Sequence, residues 1–140
     1  MQEQGSILEA VKAFLKSCPF LSEIDLHIDQ VEEEPQSYAV TTSGLIKQRE
    51  DILGGQTWQY NAVLQSREYT ADDLSRLNAS AFTERFVFWT EQMNSDRQLP
   101  ELPDGMKSES ISADNGMLLA LDDDGDRGIY QVQIHLIFKR

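Results

Sequence analysis

The sequence predicts an α+β fold, an antiparallel or mixed β-sheet of about five strands with two main helices packed on one face. Three patterns carry that expectation. Residues 57–67 and 129–138 each alternate between two kinds of side chain, the period-two signature of a strand with one face on a core. Between them, Leu74, Leu77, Ala81, Phe82, Phe86 and Trp89 recur at helical spacing. A second helical stripe opens the chain. Strands and helices of this kind pack as layers around one core. The 140 residues fit a single domain, 1–140, able to bury roughly two-thirds of its unfolded surface.

Residues 6–18 read as the first helix. Ser6 and Glu9 have capping-box spacing, in which a hydroxyl and a carboxylate satisfy the free amides of the first turn. Ile7, Leu8, Val11, Phe14 and Leu15 form its apolar stripe, and Pro19 ends it by disfavouring helix in the residue before. Ile24, Leu26 and Ile28 then alternate with Asp25, His27 and Asp29, a short strand or extended arm. Glu32-Glu33-Glu34-Pro35 is a loop, because three like charges resist packing and proline cannot serve a central strand. Tyr38–Thr42 is a strand, Ser43-Gly44 a turn or bulge, and 46–52 a weaker strand with Ile46, Gln48, Glu50 and Ile52 on one side. Gly54-Gly55 is a turn or kink.

In the strand 57–67, Trp58, Tyr60, Ala62 and Leu64 share one face, and Thr57, Gln59, Asn61, Val63 and Gln65 the other. The second helix covers 70–95, in one piece or broken near Asn78, with Asp72 and Asp73 at the positive end of its dipole and Phe88 and Met93 flanking its stripe. Pro100, Pro103 and Asp104-Gly105 mark 95–107 as a connection that Leu99 and Leu102 tack down. A hairpin closes the chain. Ser108–Ser112 is extended, Met117–Leu121 apolar and Asp122–Gly128 the turn. Ile129–Phe138 is a long strand with Gln131, Gln133 and His135 opposite its apolar face. Its glutamine-bearing face matches that of 57–67, which sets the two strands side by side.

The net charge of −12 argues against nucleic acid, since phosphate binding needs clustered lysine and arginine. The nearest approach to a cluster is Lys47 with Arg49. The one cysteine, Cys18, excludes an intrachain disulfide and suits a reducing compartment; it reads as a small packed residue at a helix end. Neither a basic leader nor a membrane-length apolar run is present, so the chain is expected to be soluble and made in the cytosol. Asp122-Asp123-Asp124-Gly125-Asp126 suggests the start of a calcium loop. Counting from Asp122, however, the sixth position is Arg127 and the twelfth Gln133, where glycine and glutamate are needed. A solvated turn is the simpler reading. His27 and His135 stand far apart with no paired cysteines, so no metal is expected. No nucleophile elbow, P-loop or dinucleotide fingerprint occurs, so neither a cofactor nor catalytic residues are expected. Arg67-Glu68 is a strand-end ion pair or a subunit contact, and Gln59, Gln65, Gln131 and Gln133 face water or line such a contact.

These residues also carry a resemblance. A Tyr38-Ala39-Val40 strand precedes Asp51-Ile52-Leu53-Gly54-Gly55. Next come the alternating Trp58-to-Leu64 strand, Ser66-Arg67-Glu68-Tyr69, and a helix with Phe82, Phe86 and Trp89. Tyr130-Gln131-Val132-Gln133-Ile134 closes the series. The order resembles the small minor capsid and tail-completion proteins of siphophages and prophages, most closely over about residues 51–93, and covers most of the chain. The resemblance implies a non-enzymatic, tail-terminator-like virion protein. Such a protein assembles as a ring, commonly a hexamer, that caps the tail tube and meets the tail-tube and head-completion proteins, without sequence-specific nucleic acid or membrane. A head-side minor capsid protein and a bacterial protein-binding adaptor are the alternatives.

Overall fold

A computed structural model describes the backbone of residues 6–19, 26–28, 37–69, 73–121 and 127–140, and the side chains of 6–19, 38–66, 81–114 and 128–140. The fold is α+β. Helix α1 (Ile7–Lys16) and strands β1 (Leu26–Ile28), β2 (Ser37–Glu50) and β3 (Gln56–Tyr69) come first. Helix α2 (Asp73–Ser95) and strands β4 (Lys107–Leu121) and β5 (Arg127–Lys139) follow. The sheet order is β1-β2-β3-β5-β4. The four long strands are antiparallel, and the three-residue β1 lies parallel on β2.

The first helix starts as its sequence dictates. Ser6 has extended backbone and accepts a 3.1 Å hydrogen bond from the Glu9 amide. Val11, Phe14 and Leu15 are buried, and so is Cys18, just past the last turn. The two strongly alternating strands are central neighbours, with Tyr60 opposite Leu136, Ala62 opposite Ile134 and Leu64 opposite Val132. Their apolar face joins Tyr38, Val40, Ile111 and both helices in one core. Phe86 fills its centre at 0 % exposure. Phe14 meets Trp89 with ring centroids 5.1 Å apart, and Phe82 meets Tyr38 at 5.2 Å. Both helices therefore cover the same face of the sheet.

Three readings change. Residues 37–50 are one strand, not two; Ser43-Gly44 is a bulge within it, and a second irregularity falls between Lys47 and Arg49. Each bulge shifts the parity of the residues after it. Ile46 thus aligns with Gln59 on the face away from the helices, whereas Glu50 aligns with Gln56 and Ile52 lies in the turn. Strand β4 is likewise continuous over 107–121 with three irregularities, which hid it behind two short patterns. Arg127 and Gly128 belong to β5 rather than to the preceding turn, pairing with Tyr69 and Glu68. Helix α2 is unbroken at Asn78, and Phe88 faces solvent at 68 % exposure.

Candidate functional site

No described element packs on the second face of the sheet. Thr57, Gln59, Asn61, Val63 and Gln65 from β3 line it, as the alternation predicts, beside Gln131, Gln133 and His135 from β5. Its polar groups are not merely wet. Gln48 Nε2 donates to Gln59 Oε1 at 2.7 Å, and Gln59 Nε2 donates to Asn61 Oδ1 at 2.7 Å. Asn61 Oδ1 lies 2.7 Å from His135 Nδ1, whose Nε2 lies 3.3 Å from an Asp114 carboxylate oxygen. This chain of side chains crosses all four antiparallel strands. Farther along, Gln65 Nε2 reaches Gln131 Oε1 at 3.5 Å.

The consequence is energetic. A buried amide without a partner costs roughly 1–3 kcal/mol. Amides that already satisfy one another can lose their water with a smaller penalty. Val63 and Ala39, 9 % and 3 % exposed, sit low between them. The face suits burial under another surface better than its composition implies.

Gln59, Gln65, Gln131 and Gln133 share this face, as the sequence places them. Arg67 and Glu68 lie in β3 opposite Ile129 and Gly128, with side chains outside the described residues. The side chain of His27 and the whole of Asp122–Asp126 also fall outside them. Among the described residues, no three His, Cys, Asp or Glu side chains converge as metal ligands would.

Two features escape sequence reading. The turn 51–55 exposes two large aliphatic side chains, Ile52 at 99 % and Leu53 at 93 %. An apolar groove of about 410 Å³ also opens between α1 and the connection after α2, lined by Ala10, Ala13, Phe14, Met93, Leu99 and Pro100, with Glu101 among its polar residues. The apolar stripe of α1 gave part of that groove; nothing local in the sequence joins it to Leu99 and Pro100.

No protein-family model and no curated protein matches the chain. No helix among the described residues is long and apolar enough to cross a membrane.

Proposed function

We propose that the chain is a structural subunit of a tailed phage or prophage that assembles with its own copies into a ring at the tail end or head–tail joint. The phage element of this reading rests on the resemblance of residues 51–93 and of the final strand. The observation that carries self-assembly is the helix-free sheet face, whose amides are hydrogen-bonded to each other from Gln48 across to Asp114. A ring needs complementary surfaces and a rotation that closes, not a pocket.

The test is the mass in solution over a range of concentrations, by light scattering after size exclusion, with and without a tail-tube protein from the same genome. The reading expects a closed oligomer or a specific complex with the tube protein. A monomer at every concentration that ignores the tube protein counts against it.

A second reading, a bacterial adaptor, is favoured by the groove beside α1, which has the apolar lining of a peptide site. It expects a monomer or dimer whose partner is released by Ala13→Arg, a substitution on the groove wall.

A further inference from the structure

One end of the sheet differs from the rest of the chain. Strand register aligns Arg49 with Thr57, Thr57 with Lys139, and Lys139 with Lys107, a row across four strands on the face away from the helices. Arg140 is fixed beside them by two backbone hydrogen bonds to Gln56, at 3.1 and 2.9 Å. Lys139 pairs with Glu109 at 3.1 Å and Lys47 with Glu50 at 3.1 Å. Among the described residues, neither the Arg49 nor the Arg140 guanidinium has an ionic partner. A pocket of about 240 Å³ opens here, lined by Arg49, Thr57, Lys139, Arg140 and a single carboxylate, Asp51.

That carboxylate is already engaged. Asp51 Oδ1 accepts the amides of Leu53 and Gly55, each at 2.9 Å. Gly54 turns at φ +91°, and a Cβ on Gly55 would stand 2.6 Å from Asp51 Oδ2. The turn is therefore rigid, and it holds Ile52 and Leu53 out in water instead of letting them fold onto the core. A preorganised apolar tip loses little freedom on binding.

Charge identifies what it meets. Five of the twelve basic residues gather at this end (Lys47, Arg49, Lys107, Lys139, Arg140) with four of the 24 acids (Glu50, Asp51, Asp104, Glu109). The rest of the chain carries twenty acids against seven bases. The complement of this basic, apolar-tipped end is the chain's own remaining surface.

We infer that the β2–β3 turn and the Arg49–Lys139–Arg140 cluster form the docking surface for a second copy of the chain, with Ile52 and Leu53 as apolar anchors and the cations against that copy's carboxylates. The contact joins two different patches, so it is head to tail, the geometry that closes into rings. This inference rests on the self-assembly reading and specifies its surface.

The experiment measures oligomer mass against concentration for the full chain, for Ile52→Ser/Leu53→Ser and for Arg49→Glu/Arg140→Glu. Circular dichroism checks each fold, and Phe88→Ser serves as an exposed control on α2. The wild type and the control should assemble alike. Each double variant should weaken association by about tenfold or more, the loss typical of anchor residues. If the wild type assembles and both double variants assemble equally well, the docking surface is elsewhere and only this inference falls. If the wild type stays monomeric alone and with the tube protein, the self-assembly reading falls, and this inference with it. A monomer whose tip variants lose binding to the tube protein assigns the surface to a different occupant and overturns the second copy.

Discussion

Asp51 shows how one side chain sets local structure. Its carboxylate closes the β2–β3 turn by taking two amides, and Gly55 gives it room. Asp51→Ala should lower stability by about 1 kcal/mol, the net worth of such hydrogen bonds. Gly55→Ala should cost a similar amount, because the new methyl displaces the same carboxylate. In an Asp51→Ala background that second cost should vanish. Thermal melts of the two single variants and the double variant give the coupling, and additive losses would mean that the methyl clashes with something else. In the core, Phe86→Ala should cost about 3–5 kcal/mol, as emptied aromatic sites do. A denaturant midpoint shifted by less than a third of that would mean the cavity collapses.

At the scale of elements, the end of α2 secures the outer strand of the sheet. Asn94 Oδ1 accepts the Ile111 amide at 2.9 Å, and Arg97 Nη1 donates to the Glu109 carbonyl at 2.8 Å. Ser108 adds a hydroxyl bond to the Pro100 carbonyl. These side chains occupy groups of β4 that would otherwise template pairing with another chain. Asn94→Ala should destabilise by about 1 kcal/mol and raise aggregation on storage, read by light scattering. An unchanged melting temperature with unchanged scattering would show the edge is protected in another way. Between the core elements, aromatic packing does the joining: Phe14 with Trp89 ties α1 to α2, and Phe82 with Tyr38 ties α2 to β2.

At the scale of the molecule, the two covering helices make the sheet one-sided. Strands β3 and β5 each have partners on both sides, whereas β1 and β4 are the edges. Hydrogen exchange should therefore be slowest in the middle of β3 and β5, at Ala62–Leu64 and Val132–Ile134, and faster in α1, whose ends fray. Protection in α1 equal to that in β5 would show that the helix opens only with the whole domain. If copies stack on the helix-free face, assembly should further protect Gln59–Gln65 and Gln131–His135, while the docking surface inferred at the β2–β3 turn should protect 51–56.

What the sequence determined by itself is what local periodicity can encode. The α+β class, the capped first helix, the aromatic second helix and both faces of β3 and β5 follow from spacing alone, because burial on one side of an element repeats with that element's period. The pairing of β3 with β5 followed from their matching glutamine faces. Tertiary structure decided whatever depends on register. Bulges at Ser43-Gly44 and near Lys47 reversed the alternation, so two apparent strands proved to be one and Ile46 turned away from the core. The candidate interface divides the same way. Its glutamines were legible as a face, but the links from Gln48 through His135 to Asp114 join residues from four strands. Arg49, Lys107 and Lys139 look scattered on an acidic chain, and only hydrogen-bond register brings them into one row. Charge acts through space, and distance along the chain does not measure distance across a sheet.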